Sequence, residues 1–144
     1  MKKRLRIAVG ALVALALVTS SDMAAAVDKK PKKPDLKLRV RPRFGFSPLN
    51  VFVTAELKGG DDVEEYYCPE LEWEWGDGGK SVNEGDCDPW EEGVSEMERR
   101  FTGSHLFKYS GVYVISLRLK RLDKTIAKST YKLTVRQGAG EVRD

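Results

Sequence analysis

A cluster of carboxylates in the middle of the chain is the first group of residues that could do chemistry. Carboxylate oxygens are the ligands that calcium prefers, and four acids lie within positions 86–92: Asp86, Asp88, Glu91 and Glu92. Asp61 and Asp62 could lie nearby. The D-x-[DN]-x-[DN]-G loop is absent, however. The sequence therefore leaves two interpretations, a calcium site or a solvated acidic loop, and indicates no other cofactor.

Three aromatic residues stand beside these acids in the sequence. Tyr66, Tyr67 and Trp90, if exposed among carboxylates, would suit a sugar or a basic protein surface. The alternative is structural: Tyr66 and Tyr67 fill one end of the domain, and Trp90 covers a disulfide. Both interpretations place these rings near the two cysteines.

Cys68 and Cys87 lie 19 residues apart and flank a tryptophan-rich stretch. In an oxidising compartment we expect them to be joined, which would stabilise the fold by about 3 kcal/mol in the loop-entropy model. Two free thiols are the alternative. Without C-x-x-C spacing, a redox-active pair is not indicated.

The sequence offers no catalytic set. His105 is the single histidine, and no nucleophile stands at a spacing that would pair with it. One histidine and a disulfide also leave no ligand set for zinc. Asp77 lies in a Gly-Asp-Gly turn, where a short polar side chain caps backbone N–H groups. Carboxylate pairs for glycoside hydrolysis can always be drawn from so many acids, so we expect no enzyme.

The first 26 residues have the three parts of a secretory signal peptide. Basic MKKRLR precedes an apolar run, Ile7 to Val18, and Ala24-x-Ala26 follows as a cleavage site. The run is too short to span a bilayer in the mature protein. We expect export, to the periplasm or outside the cell, and no membrane span after Val27. An uncleaved anchor is the alternative.

Charge excludes one class of partner. Of 25 basic and 22 acidic residues, four bases and one acid lie in the first 26 positions, so the remainder has 21 of each. A formally neutral domain lacks the positive footprint of a nucleic-acid-binding protein. The charge is nevertheless uneven, because residues 60–98 contain 15 acids and one base, Lys80. We expect an electrically polarised domain.

The organisation after the signal peptide is that of a β-protein. Residues 27–34 (VDKKPKKP) predict a solvated linker, or alternatively a basic arm that touches anionic lipid or cell wall. Short runs with period two then follow over 35–137, among them Leu36-Leu38-Val40 and Tyr113-Ile115-Leu117, with turn signals between them. Residues 138–144 predict a disordered tail. About seven short strands and no helical period predict an immunoglobulin-like antiparallel β-sandwich.

Two motifs carry a resemblance to PKD (polycystic kidney disease) domains. Trp73-Glu74-Trp75-Gly76-Asp77-Gly78 resembles their W-x-[FW]-G-D-G signature, and His105-Leu106-Phe107 followed by Gly111-Val112-Tyr113-Val114-Ile115-Ser116-Leu117 resembles their second one. The resemblance covers about residues 35–136. It implies an immunoglobulin-like sandwich that serves extracellular proteins as a spacer or binding module, without catalysis. Trp73 would be its inward anchor, and Gly111-x-Tyr113 resembles a tyrosine corner.

The function expected from the sequence is that of a non-catalytic exported module for protein–protein interaction or structural spacing. Its working surface would lie in residues 61–92, and its partner would be an extracytoplasmic protein. A carbohydrate-binding module of the cell envelope or extracellular matrix is the alternative, with a polysaccharide as partner. Nothing in the sequence indicates an oligomeric state.

Overall fold

The structure of the protein is a computed structural model that describes residues 30–141. The predicted signal peptide, the first three residues of the predicted linker and the last three of the tail lie outside the described residues. Within residues 30–141, no helix is both long and apolar enough to cross a bilayer.

The described residues form eight strands in two packed sheets. The strands are β1 (Asp35–Arg41), β2 (Phe44–Phe46), β3 (Leu49–Lys58), β4 (Glu70–Glu74), β5 (Lys80–Asn83), β6 (Arg100–Phe107), β7 (Gly111–Arg121) and β8 (Lys124–Arg136). One sheet has the order β1-β3-β6 and the other β2-β8-β7-β4-β5. All pairings are antiparallel except that of β2 with β8. The predicted all-β immunoglobulin-like sandwich is confirmed.

The core lies between the two sheets, where period-two alternation delivers apolar side chains from each strand. Trp73 has 1% of its surface exposed and, with Trp75, is one of the two largest side chains in this core. The other buried apolar residues include Leu36, Val40, Val51, Val53, Ala55, Leu57, Trp75, Phe101, Phe107, Ile115, Leu117, Leu119, Leu133 and Val135.

The strand prediction differs from the structure in two places. In the sequence, residues 96–101 and 105–107 are two separate and weak strand candidates, whereas the structure has one continuous strand, β6, paired with β3. Strand β2 was not predicted, because it has only three residues and lies between Pro42 and Pro48. A single 3₁₀ turn, Glu64–Tyr66, follows β3.

Both ends of the described chain make specific contacts with the sandwich. Pro34 is buried, the Lys32 N–H donates to Asp61 Oδ2 (2.8 Å), and the Asp61 N–H donates to the Lys32 carbonyl (2.9 Å). Lys30, Pro31, Lys32 and Lys33 are nevertheless exposed, and only Pro34 of this segment is buried. Hydrophobic periodicity misses such contacts because they are made by backbone and proline.

The tail expected to be disordered is likewise ordered as far as Glu141. Its carboxylate accepts hydrogen bonds from the Ser47 hydroxyl, the Ser110 N–H (2.9 Å) and the Ser110 hydroxyl (2.8 Å). The Gly138 N–H donates to Ser47 Oγ at 3.0 Å. Polar contacts between residues more than 30 positions apart give no signal in a local sequence pattern.

Candidate functional site

The motif residues form a continuous aromatic stack through the sandwich. The Trp73 and Trp75 rings are parallel with centroids 5.4 Å apart, and His105 stacks on Trp75 at 4.7 Å. Phe107 and then Tyr113 continue the series at 4.8 and 4.4 Å. Because β4 and β7 belong to one sheet and β6 to the other, this stack connects the two sheets.

The turn after β4 is tied to this stack by Asp77. Its Oδ2 lies 2.7 Å from His105 Nε2, and its Oδ1 accepts a hydrogen bond from the Gly79 N–H at 2.9 Å. Burial alone would raise the pKa of the Asp77 carboxyl, but the bonds from His105 and Gly79 outweigh it and hold the pKa below its ordinary value. The geometry gives Asp77 and His105 structural partners, in keeping with the role expected for the turn.

Two glycines of the motifs are required by close packing. Gly76 has φ of +86°, and a Cβ there would lie 2.7 Å from the Val114 backbone nitrogen. At Gly111 a Cβ would lie 3.2 Å from the Tyr113 ring. The Tyr113 hydroxyl donates to the Tyr109 carbonyl at 2.7 Å, which is the bond of a tyrosine corner.

The expected disulfide joins Cys68 and Cys87, whose Cα atoms are 6.2 Å apart. It ties the stretch before β4 to the irregular segment after β5. Gly85 lies against it, since a Cβ at that position would be 2.4 Å from Cys68 Sγ.

An open cleft of about 350 Å³ lies beside this bond. We call it the disulfide cleft, and its lining residues are Tyr67, Cys68, Glu70, Glu84, Gly85, Cys87, Asp88, Pro89, Trp90, Lys120, Arg121 and Leu122. The Tyr67 and Trp90 rings meet edge to face, with centroids 5.2 Å apart and an interplanar angle of 62°. Three separate parts of the chain thus form one concave surface.

Tyr66 does not belong to that surface, contrary to one of the two sequence interpretations. It has 2% of its surface exposed, and its hydroxyl donates to the Ile126 carbonyl at 3.2 Å. Burial raises the pKa of its hydroxyl. The 3₁₀ turn directs Tyr66 into the core and leaves the neighbouring Tyr67 at the cleft.

The two basic side chains of the disulfide cleft are already engaged. Lys120 Nζ lies 3.3 Å from both Glu70 and Glu72 carboxylates. Arg121 donates to the Glu64 carbonyl (2.5 Å), the Tyr67 carbonyl (3.1 Å) and the Glu64 carboxylate (2.8 Å). The carboxylates of Glu84 and Asp88, in contrast, have no partner within residues 30–141. The cleft therefore presents uncompensated negative charge next to two aromatic rings.

This negative charge continues along the chain. Residues 84–98, which we call the acidic segment, are irregular apart from one short turn and contain seven exposed acids and no base: Glu84, Asp86, Asp88, Glu91, Glu92, Glu96 and Glu98. None of these carboxylates forms an ion pair within the described part of the chain.

The expected calcium ligands do not converge. Across residues 30–141, no three side chains of His, Cys, Asp or Glu lie close enough together to hold a metal ion. Asp86, Asp88, Glu91 and Glu92 are neighbours in sequence, but they do not form such a group in this part of the chain. The described residues of this region thus contain no preformed calcium site.

Sequence reasoning missed a second acidic region, on the outer face of β4. Glu72 and Glu74 contact Arg118 at 2.5 and 2.6 Å, and Lys80 lies 3.2 Å from Glu74. We call Glu70, Glu72 and Glu74 with their partners Lys80, Arg118 and Lys120 the glutamate ladder. The hydrogen bond from Lys80 is the main cause that lowers the pKa of Glu74, and the bond to Glu70 is the main cause that raises the pKa of Lys120. The alternation E-x-E-x-E opposite R-x-K was the available signal.

Comparison with known proteins supports the fold. No family model and no curated protein matches the chain. Among solved structures, the chain is similar to the PKD domain of an M14-like peptidase from Thermoplasmatales archaeon SCGC AB-540-F20. The TM-score is 0.51 at 17% sequence identity, and the match covers 75% of this chain and 100% of that chain. The chain has the fold of a PKD domain, an immunoglobulin-like β-sandwich.

Proposed function

We propose that the protein is a non-catalytic interaction module that binds a basic protein surface through the disulfide cleft and the adjoining acidic segment. The observation that carries this proposal is the contrast in charge pairing. The bases of the cleft are held by internal contacts, whereas Glu84 and Asp88 face solvent with no partner in residues 30–141.

The aromatic residues support the same assignment. Tyr67 and Trp90 are partly exposed, line the same cleft as the disulfide and contact each other edge to face, so their positions are restrained. Aromatic side chains that are held in place and surrounded by charged groups are typical of the centres of protein interfaces. The motif residues, in contrast, have internal partners: the aromatic ones form the stack, and Asp77 contacts His105 and Gly79.

The alternative, a carbohydrate-binding module, requires rings that form a flat platform for a sugar. The interplanar angle of 62° between Tyr67 and Trp90 disfavours such a platform. The two functions also differ in salt dependence, because attraction between exposed charges weakens as ionic strength rises, whereas stacking on a sugar does not.

A photo-crosslinking experiment tests the proposal. A photoreactive phenylalanine analogue is placed at Trp90 in the full chain, which is expressed in its native host. The matched control is the same analogue at Tyr109, an aromatic residue that is 63% exposed at the opposite end of β7. We expect protein adducts from position 90 that disappear at 0.5 M salt, and few from position 109.

Adducts that resist protease but not glycosidase would assign the cleft to a polysaccharide instead. Equal yields of adduct from the two positions, or none from position 90, would refute the proposed working surface.

A further inference from the structure

A second charged surface lies along one edge of the sandwich. Arg39 and Arg41 extend from β1, and Arg43 follows just after the strand ends. All three line an open cleft of about 610 Å³ together with Leu38, Val40 and Tyr131. We call these three residues the arginine ridge.

The positive charge of the arginine ridge is poorly compensated. Glu56 is shared by Arg39 (3.8 Å), Lys58 (3.6 Å) and Arg100 (3.0 Å), so three bases have one carboxylate between them. Arg41 and Arg43 form no ion pair within residues 30–141. Phe52, which is paired with Arg41 across the strands, is exposed beside them. Arginine with an exposed aromatic ring is a composition enriched in protein interfaces.

The acidic segment has a charge pattern that matches the ridge. Glu84, Asp86 and Asp88 occupy alternate positions, as do Arg39, Arg41 and Arg43. The carboxylates of the acidic segment and the guanidinium groups of Arg41 and Arg43 have opposite charge, and neither set has an ion-pair partner within residues 30–141. Arginine binds carboxylates in paired hydrogen bonds.

These two surfaces lie on opposite sides of one molecule. The arginine ridge is on β1, an edge strand that packs next to β8, whereas the acidic segment follows β5, at the far edge of the sheet β2-β8-β7-β4-β5. They cannot neutralise each other within one copy. A contact between different surfaces of two copies is heterologous and joins molecules head to tail.

We propose that the protein associates head to tail with itself, with the acidic segment of one copy on the arginine ridge of the next. This inference rests on the proposed function, since it names the basic partner of the acidic segment as a second copy of the chain. The contact is between exposed charges, so it is strongest at low ionic strength.

Sedimentation velocity on the exported protein, with two neutralised variants, tests this inference. One variant, E84Q/D86N/D88N, neutralises three acids of the acidic segment and leaves the arginine ridge charged. The other, R39Q/R41Q/R43Q, neutralises the ridge and leaves the acidic segment charged. At 50 mM salt we expect wild type to sediment faster as its concentration rises, and each variant alone to remain monomeric. An equimolar mixture of the variants should form a heterodimer that dissociates at 500 mM salt.

The matched control is the triple variant K124Q/K128Q/K132Q, which removes three exposed positive charges from β8 but leaves the arginine ridge unchanged. It should associate as wild type does. Near-ultraviolet circular dichroism checks that each variant is folded, and the single changes R41Q and D86N should give the same effects at smaller amplitude.

A monomeric mixture, or variants that associate alone as wild type does, would overturn the inference. If the mixture is monomeric while position 90 still gives adducts with another protein, the self-association fails and the proposed function stands. If position 90 gives no adduct of any kind, the proposed function fails as well.

Discussion

Two acidic regions follow one another in this chain. The carboxylates of the first are paired with basic residues, and those of the second are not. In the glutamate ladder, strand register places Glu72 directly across from Arg118 and Glu70 across from Lys120, so the charges are paired. In the acidic segment, an irregular backbone leaves seven carboxylates exposed without ion pairs in residues 30–141. The same residue type is therefore structural in a strand and available for binding in a loop.

The largest contrast between these regions should come from their tryptophans. Trp73, on the inner side of the ladder strand, fills the core, so Trp73→Ala should destabilise the protein by about 3–5 kcal/mol. Trp90→Ala in the acidic segment removes an edge-to-face contact and should lower the stability by about 1 kcal/mol. Urea unfolding monitored by circular dichroism measures both. Similar losses would show that the acidic segment is packed as tightly as the strand.

The disulfide offers the next largest effect. The change C68A/C87A should lower the stability by about 3 kcal/mol, because the unfolded chain regains the freedom of a closed loop. Amide hydrogen exchange should accelerate mainly at the hydrogen-bonded amides of Glu91, Val94 and Ser95, while β4 stays protected by its backbone pairing with β5 and β7. Uniform acceleration through both regions would mean that the acidic segment and β4 unfold together.

Asp77, in the turn after the ladder strand, should show a dependence on pH. Asp77→Asn should destabilise by about 2 kcal/mol at pH 7, because the carboxylate accepts bonds from His105 and Gly79. The folded pKa lies below the unfolded value, so this stability is present above the unfolded pKa near 4 and is lost as pH falls through the folded pKa. Unfolding curves at pH 7, 4 and 2 should therefore converge for wild type and variant. A constant difference would mean that the carboxylate charge contributes nothing.

The smallest expected effect is a change in Tm on removing charge from either region. Arg118→Gln should lower the Tm by a few degrees, because Glu72 and Glu74 lose their shared partner. The triple change E84Q/D86N/D88N should leave Tm the same or raise it slightly, since it removes repulsion between exposed carboxylates. Differential scanning calorimetry at low salt measures both shifts. A lower Tm for the triple variant would indicate ion pairs that stabilise the acidic segment.

The sequence was sufficient to predict what depends on local periodicity. Alternation around Leu36, Val51 and Ile115 located the strands, and the Trp73-x-Trp75-Gly-Asp-Gly motif located the turn and the core anchor. The two cysteines also predicted their bond. These features are readable because each is encoded within a few neighbouring residues or in a family motif.

The remaining features depend on contacts between distant residues. The bonds of Glu141 to Ser47 and Ser110 span 94 and 31 positions, and no sequence pattern near Glu141 predicts them. Similarly, Tyr66 and Tyr67 are adjacent and chemically identical, and the 3₁₀ turn alone decides which of them is buried. The disulfide cleft could not be predicted as a shape because its walls come from three separate segments.

The order of the strands has a consequence for limited proteolysis. Each sheet combines strands from both sides of the acidic segment, since β1 and β3 share a sheet with β6, and β2, β4 and β5 share a sheet with β7 and β8. A protease that cuts the exposed acidic segment would therefore produce two fragments, neither of which holds a complete sheet. The fragments would stay together as a nicked but folded molecule, so the segment offers a natural point at which to divide this domain into two complementing halves.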